Sequence, residues 1–245
     1  MKNNMNKRVM VITGASRGLG RLLCTYFAKM GLKIVAIARN QKDLESLRDE
    51  IEDEGGTIRI YPADVTDYKS TEKIISDVEK KWGSIDVLVN NAGLDKAGMT
   101  APIESLSQED IDLVIDVNLK GTIYFTKFVI PIMKKNKSGY IINISSMAAT
   151  KAFNSNGIYH STKYGINGFG EAMTKYLAED NIRVVNLCPG GIKTTWWERA
   201  EYNRDKKLIV EPPEIAELIK FLLESRSSTL FKNISFFSRS EAEVW

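Results

Sequence analysis

Short apolar runs alternate with longer amphipathic stretches along this chain, and this alternation restricts its fold more than any other feature. The runs are rich in Val and Ile, as in strands of a buried parallel sheet. They cover residues 9–12, 33–38, 57–61, 85–89, 140–144, 182–188 and 234–237. Repeated strand and helix units predict an α/β fold with a doubly wound parallel sheet and helices on both faces. With no linker or internal repeat, we expect a single domain over residues 1–245.

A glycine-rich turn follows the first predicted strand directly. Residues 13–20 read TGASRGLG and lead into an apolar pattern that indicates a helix. Glycines let the backbone approach a pyrophosphate closely, and free N–H groups at a helix N-terminus attract phosphates. The residues expected at a dinucleotide phosphate are Gly14, Ser16, Arg17, Gly18, Leu19 and Gly20. Because the spacing departs from G-x-G-x-x-G, a tight turn without a ligand is the alternative.

The end of the second predicted strand bears on which dinucleotide would bind. A carboxylate about 20 residues past the glycines binds the ribose 2′-hydroxyl of NAD, whereas an arginine accommodates a 2′-phosphate. Arg39 occupies that position, Arg17 lies in the glycine turn, and the first carboxylate, Asp43, belongs to the next helix. Guanidinium groups match phosphate oxygens bidentately. The sequence therefore predicts NADP(H), against the alternative of two unrelated surface arginines.

Tyr159 and Lys163 are spaced to share one face of a helix. A free phenol titrates near pH 10, so a tyrosine that works as an acid or base near pH 7 needs about 4 kcal/mol of selective phenolate stabilisation. A neighbouring ammonium group has the right sign to supply it. Taken alone, the pair is better explained by a helix surface that carries one tyrosine and one lysine by accident.

Composition excludes several other classes of function. The 34 basic and 31 acidic residues leave a net charge of +3, without the basic, aromatic stripe typical of nucleic-acid binding. No apolar stretch is long enough to predict a leader or a membrane span. Cys24 and Cys188 fall in predicted core elements, which favours reduced thiols over a disulfide. Reduced thiols in turn predict a cytoplasmic location.

From about Lys7 to Thr194 the chain resembles the short-chain dehydrogenase/reductases. The motifs that carry the resemblance occur in the order and approximate spacing of that family. They are residues 13–20, Asp64 with Val65, residues 90–93, Asn118, Ser146, Tyr159 with Lys163, and Pro189 with Gly190. The resemblance implies a Rossmann-type domain that uses a nicotinamide cofactor and no metal. It removes the reading of Tyr159 and Lys163 as a coincidence.

The resemblance also assigns cofactor contacts. Asp64 and Val65 would meet the adenine, and Asn91, Ala92 and Gly93 would line the adenosine side. The residues that would border the nicotinamide are Pro189, Gly190, Ile192 and Thr194. Tyr159 and Lys163 complete the set, because Lys163 would hold the nicotinamide ribose.

The catalytic group implied by the resemblance is Asn118, Ser146, Tyr159 and Lys163. Tyr159 would donate the proton, Ser146 would bind the substrate carbonyl, and Lys163 would lower the pKa of Tyr159. Asn118 would hold a water in a proton relay, with buried structural hydrogen bonding as its alternative. It lies inside a helix predicted from an N-cap at Ser107 to about Lys135.

The sequence leaves three functions to compare. The first is an NADP-dependent enzyme that interconverts a carbonyl and a secondary alcohol, and the second is a 3-oxoacyl thioester reductase. The third is a nucleotide-binding sensor without catalysis, which has no need of the four catalytic residues. The ending at residues 233–239 resembles members that act on small hydroxy acids or general alcohols more than acyl-carrier-protein reductases.

Two regions outside the motifs also carry expectations. Residues 195–208 contain Trp196, Trp197 and Tyr202, which predict either a substrate lid or a surface helix whose tryptophans fill the core. By resemblance, we expect a homodimer or homotetramer formed through the helices that begin near Ser107 and Ile158. The expected partner is a small carbonyl or alcohol substrate, with no nucleic acid and no membrane.

Overall fold

The computed structural model describes residues 7–95, 101–152, 155–194, 209–226 and 228–242. Its strands are β1 (Val9–Thr13), β2 (Lys33–Ala38), β3 (Thr57–Pro62), β4 (Val87–Asn90), β5 (Gly139–Ile144), β6 (Ile182–Pro189) and β7 (Asn233–Phe236). They form one seven-stranded sheet in the order β3-β2-β1-β4-β5-β6-β7, and all neighbours are parallel.

Helices cover both faces of this sheet. They are α1 (Gly18–Lys29), α2 (Gln41–Asp53), α3 (Tyr68–Trp82), α4 (Gln108–Ile115), α5 (Gly121–Asn136), α6 (Ile158–Tyr176) and α7 (Pro212–Glu224). Within the described ranges, no helix combines the length and apolar character needed to cross a bilayer. The predicted doubly wound α/β fold of Rossmann type is confirmed.

The core is divided by the sheet because successive side chains of a strand point to opposite faces. In β1, Met10 and Ile12 join one buried cluster with Phe27 of α1. Val11 joins the other cluster, together with Val129 of α5. Burial on both sides explains why the strands read as short continuous apolar runs in the sequence.

Local signals set the helix starts as the sequence predicts. The side chain of Asn40 accepts a hydrogen bond from the Asp43 amide, and that of Asp67 accepts one from Ser70. Ser107 Oγ accepts one from the Asp110 amide at 3.1 Å, which confirms the predicted N-cap. Each cap satisfies an N–H group that the first helical turn leaves without a partner.

The helix predicted from Ser107 to about Lys135 is continuous in space but not α-helical throughout. Between α4 and α5 the backbone forms a π-helical turn, Asp116–Lys120. Such turns insert a residue and occur often at functional sites. The predicted bounds of the helix agree with the N-cap at Ser107 and with the end of α5 at Asn136. The turn contains Asn118, whose side chain is held by groups outside the helix.

An asparagine ladder crosses four neighbouring strands of the sheet. Asn90, Asn143, Asn186 and Asn233 lie in register on β4, β5, β6 and β7. The Nδ2 of each of the first three donates to the Oδ1 of the next, over 2.9, 2.9 and 2.8 Å. The last strand begins one residue earlier than predicted, at Asn233, which brings Asn233 into this register.

Replacing the central amide should destabilise the fold. Asn143→Ala would remove the acceptor of Asn90 and the donor to Asn186 in a fully buried place. Leaving a buried polar group unpaired costs about 1–3 kcal/mol, so we expect the free energy of unfolding to fall by about 2–4 kcal/mol. Urea denaturation measures this. Asn136→Ala, at the exposed end of α5, is the control, and equal losses in the two variants would contradict a stabilising ladder.

Candidate active site at the carboxyl edge of the sheet

The predicted site residues gather where the sheet reverses its winding. β1 lies between β2 and β4, so the chain after β1 and the chain after β4 leave in opposite directions. In doubly wound sheets, ligands bind in the crevice at such a switch point, beyond the carboxyl ends of the strands. The glycine turn follows β1 and residues 91–95 follow β4, so the crevice lies between these two segments.

The backbone of the glycine turn packs so closely that no side chain fits at Gly14 or Gly20. Gly14 and Gly18 have φ angles of 67° and 55°, which favour glycine. A Cβ added at Gly20 would lie 2.3 Å from the Gly14 carbonyl oxygen. One added at Gly14 would lie 2.9 Å from the Cα of Ala92. The turn therefore packs directly on the segment after β4.

The N-terminus of α1 opens into this crevice. Arg17 occupies the N-cap position without a capping bond from its side chain, and the first turn carries no acidic residue. The N–H groups at such an end carry partial positive charge and bind anions. The glycine cradle and the uncapped helix end together fit a dinucleotide pyrophosphate. Ser16 and Leu19, two further predicted cofactor residues, lie in the same turn.

Thr13 and Asn91 fix the turn relative to the segment after β4. Thr13 Oγ1 accepts hydrogen bonds from the amides of Asn91 and Ala92, both at 3.0 Å. Asn91 Nδ2 donates to the carbonyl oxygens of Thr13 and Gly14, at 2.9 and 3.2 Å. Asn91 thus ties the two walls of the crevice together. The sequence did not point to this role of Thr13, which depends on the pairing of β1 with β4.

The predicted 2′-phosphate contacts lie at the ends of neighbouring strands. Arg39 follows β2, and its side chain is 66% exposed and lies 3.8 Å from Asp64. An exposed pair at this separation is weak, so the guanidinium group remains accessible to an anion. Asp64 also accepts hydrogen bonds from the amide and hydroxyl of Thr66. Arg17 is exposed at the end of β1, the strand that pairs with β2.

Asn118 clamps the segment after β4 to the helical layer. Its Oδ1 accepts from the Leu94 amide at 2.8 Å, and its Nδ2 donates to the Leu94 carbonyl at 2.9 Å. Nδ2 also lies 3.2 Å from Thr162 Oγ1 on α6. The alternative of buried structural hydrogen bonding is therefore realised. A Cβ added at Gly93 would lie 3.4 Å from Asn118 Oδ1 and 3.8 Å from Lys163 Nζ, so these groups are neighbours.

Ser146 and Tyr159 meet through their hydroxyl groups. Ser146 follows β5 and caps a short 3-10 turn, with its Oγ 3.1 Å from the Ala148 amide. The Tyr159 side chain, near the start of α6, is hydrogen-bonded to that of Ser146. The neighbouring Ser145 instead donates to the Lys163 carbonyl, so it supports the backbone. Two hydroxyl groups on different elements can therefore donate hydrogen bonds to one substrate oxygen.

Burial dominates the electrostatics of Tyr159 and Lys163. The Lys163 ammonium donates to the Ile144 carbonyl at 2.9 Å and lies 5.5 Å from the centre of the Tyr159 ring. Burial lowers the pKa of Lys163 to about 8. Burial also raises the pKa of Tyr159, against the hydrogen bond from Ser146 that lowers it. The sequence predicts a lowered phenol pKa, and the difference arises because desolvation outweighs the other influences on the phenol.

The segment after β6 returns to the glycine turn. Pro189 ends β6, and the chain continues through Gly190 and Ile192 to Thr194. A Cβ added at Gly18 would lie 3.6 Å from the Thr194 side chain. Thr194 is thus placed beside the turn, as the predicted contacts require. Residues 195–208, the predicted lid, lie outside the described ranges.

Val65 is a predicted cofactor residue whose side chain faces the protein core. It is 6% exposed, and a Cβ added at Gly121 would lie 2.9 Å from its side chain. Val65 therefore packs on the start of α5, next to the π-helical turn. Its neighbour Asp64 stays partly exposed, so the two residues divide between the site and the core.

The burial of Lys163 predicts a pH effect on stability. Its pKa is 10.5 in the unfolded chain and about 8 in the folded one, so between these values the unfolded chain binds more protons. The contribution to the free energy of unfolding then rises with pH. Relative to Lys163→Met, the wild type should gain stability from about pH 7 to about pH 9.5 in urea denaturation. Lys175→Met, at the exposed end of α6, is the control. A difference that falls with pH would contradict a buried amine.

Comparison with known proteins agrees with this geometry. The family model described as short chain dehydrogenase matches residues 8–205. A sepiapterin reductase of Chlorobaculum tepidum is 33% identical over 217 residues, which is 86% of this chain and 87% of the relative. A 3-oxoacyl-(acyl-carrier-protein) reductase of Thermotoga maritima is 35% identical over 229 residues, covering 90% of this chain and 92% of the relative.

Solved structures resemble the whole fold. A metagenomic short-chain oxidoreductase in complex with NADP has a TM-score of 0.82 at 26% identity, covering 95% of this chain and 97% of the other. An NAD+-bound xylitol dehydrogenase has a TM-score of 0.87 at 26% identity, covering 96% and 99%. Similar structures thus occur with either nicotinamide cofactor.

Proposed function

This chain belongs to the short-chain dehydrogenase family, and on that basis we propose that it is an NADP(H)-dependent oxidoreductase that interconverts a carbonyl and a secondary alcohol. The observation that carries the proposal is the buried pair of Tyr159 and Lys163 with the half-buried Ser146 hydrogen-bonded to Tyr159. A bound NADPH supplies the hydride for carbonyl reduction.

Tyr159 and Ser146 supply the protons and hydrogen bonds of the reaction. When the carbonyl carbon is reduced, negative charge develops on its oxygen, and two hydroxyl donors can stabilise that charge. The Tyr159 phenol is protonated at neutral pH, because a free phenol titrates near pH 10 and burial raises the pKa of this group further. Tyr159 then donates its proton to the oxygen, and Ser146 orients the substrate by a second hydrogen bond.

Lys163 supports the phenolate that remains after proton transfer. Its ammonium group is anchored by the Ile144 carbonyl and lies over the Tyr159 ring. A positive charge here favours the phenolate over the phenol. We assign to Asn118 the positioning of Leu94 and Gly93 beside Lys163, in addition to the predicted water relay.

Removing the phenol hydroxyl should abolish most of the activity. General acid catalysis contributes about 10²- to 10⁴-fold in rate, and Tyr159→Phe should lower kcat by about this factor while NADPH still binds. The rate is followed by NADPH absorbance with a panel of ketones, aldehydes and hydroxy acids. Tyr164→Phe is the control because Tyr164 lies on the same helix and is 46% exposed. Full activity in Tyr159→Phe would rule out its role as proton donor.

Two arginines support the preference for NADP(H) over NAD(H). Arg39 and Arg17 are exposed beyond the ends of paired strands, and Arg39 has only a weak partner in Asp64. A guanidinium group binds phosphate bidentately, whereas it gains little from a hydroxyl. A similar structure in complex with NADP supports this choice, and another is bound to NAD+, so the fold alone does not select the cofactor.

Reversing the charge at Arg39 should reverse the cofactor preference. A charge-assisted hydrogen bond contributes about 1.5–3 kcal/mol, so Arg39→Asp should lower the ratio of NADPH to NADH affinity by about 10- to 100-fold. Nicotinamide fluorescence titration gives both dissociation constants without a substrate. Arg48→Asp, with the same charge change on α2, is the control. An unchanged ratio in Arg39→Asp would refute recognition of a 2′-phosphate.

A 3-oxoacyl thioester reductase is the second candidate. The Thermotoga relative with 35% identity bears a name of that activity. The same catalytic residues would serve either substrate, because both present a ketone oxygen. Rates with acyl thioesters and with small ketones, measured side by side with NADPH, separate the two candidates.

Assembly and location complete the proposal. We propose a cytoplasmic homodimer or homotetramer formed through the helices that begin near Ser107 and Ile158. Large exposed side chains on this side support an interface, including Tyr164, Tyr176 and Ile103. The two buried free thiols, Cys24 and Cys188, are compatible with a reducing compartment.

A further inference from the structure

A carboxylate near the C-terminus reaches into the segment that follows β6. Glu241 ends the short 3-10 helix Arg239–Glu241 and is only 2% exposed. Its Oε1 and Oε2 both lie 3.1 Å from the Gly191 amide nitrogen, across 50 positions of sequence. Buried carboxylates are costly unless N–H and O–H donors satisfy them. Ser238 supplies two more donors, its amide and its hydroxyl, each 3.2 Å from Oε2.

The glycine at position 190 fits this carboxylate. A Cβ added at Gly190 would lie 2.4 Å from Glu241 Oε2 and 2.9 Å from the Cβ of Phe237. Any other residue at this position would therefore displace the carboxylate. Gly190 also donates its amide to the Phe236 carbonyl at 2.8 Å, which continues the pairing of β6 with β7. The C-terminal turn and the segment after β6 are thus fitted to each other.

Gly191 is the point from which the rest of this segment is positioned. Its carbonyl accepts a hydrogen bond from the Val210 amide at 3.1 Å, and the Val210 carbonyl accepts one from the Lys193 amide at 2.9 Å. The next residue, Thr194, lies beside Gly18 of the glycine turn. A shift of Gly191 would therefore move Thr194 relative to the place assigned to the cofactor.

We propose that Glu241 is a positioning residue for the cofactor, which acts by holding Gly191 so that Thr194 lies beside Gly18 of the glycine turn. This rests on the proposed NADP(H)-dependent function. The carboxylate does not touch the reacting atoms. Its effect passes through three residues of backbone to the wall of the site, and it links the C-terminal turn to cofactor affinity.

A purely local role for Glu241 makes a different prediction. The bonds to Ser238 lie within a single turn and close a capping box on a helix of three residues. If they were the whole function of Glu241, Ser238→Ala and Glu241→Gln would have similar effects. The bond to Gly191 is the one that spans the structure, and only Glu241→Gln weakens it. The amide of glutamine keeps one acceptor oxygen but turns an N–H donor toward the donors of Gly191 and Ser238.

The test compares cofactor affinity with stability in wild type, Glu241→Gln and Ser238→Ala. The dissociation constant for NADPH is measured by nicotinamide fluorescence, and the urea midpoint is measured without cofactor. We expect Glu241→Gln to raise the dissociation constant by on the order of tenfold, with a urea midpoint close to that of Ser238→Ala. Ser238→Ala should leave the dissociation constant near the wild-type value.

Each other result overturns a stated proposal. If the wild type binds NADPH and Glu241→Gln binds it equally well, the role of Glu241 is refuted and the proposed function stands. The same holds if Glu241→Gln loses no more binding free energy for NADPH than it loses free energy of unfolding. If the wild type binds neither NADPH nor NADH, both proposals fail. Should Glu241→Gln not fold, Glu241→Asp keeps the charge but shortens its reach by one methylene. It must then weaken NADPH binding relative to Ser238→Ala for the proposal to stand.

Discussion

The common direction of the strands is the constraint on which the rest of the structure depends. Neighbouring strands of the sheet are all parallel, and helices cover both faces. Ligands therefore bind at the loops that follow the carboxyl ends of the strands. The glycine turn, Asn91, Ser146 and Gly190 each follow a different strand and therefore meet at the carboxyl edge. Residues far apart in sequence, such as Gly18 and Thr194, become neighbours for this reason.

Hydrogen bonds of polar side chains tie distant elements together. The asparagine ladder joins β4 to β7, Asn118 joins Leu94 to the helical layer, and Glu241 joins Gly191 to the C-terminal turn. In a low-dielectric interior such bonds favour one arrangement, because breaking them leaves costly unpaired groups. The π-helical turn contains Asn118, whose side chain is held by Leu94 from outside the helix.

The chemistry of the site follows from its burial. A phenol and an amine taken out of water both favour their neutral forms, and the pKa of Tyr159 rises while that of Lys163 falls. A raised pKa by itself makes Tyr159 a weaker proton donor, because the ideal pKa of a catalytic acid lies near the operating pH. The neighbouring amine then matters most after the proton has left, when a phenolate needs a positive charge nearby.

The sequence alone determined the features that depend on local chemistry. The apolar runs predicted the strands, the glycines predicted the tight turn after β1, and Ser107 predicted a helix start, because each signal lies within a few residues of its effect. The motif order also predicted which side chains would meet at the edge. The substrate lid and the assembly remain predictions.

Only the tertiary structure decided what depends on contacts between distant residues. Asn143 finds its partners through the register of three strands, and Glu241 reaches Gly191 only when the C-terminal turn is folded. The direction in which the pKa of Tyr159 shifts also depends on contacts between distant residues. Helical spacing placed a cation near the phenol, but the amount of water removed from the pair is set by the elements that pack around it, and burial raised the pKa of the phenol.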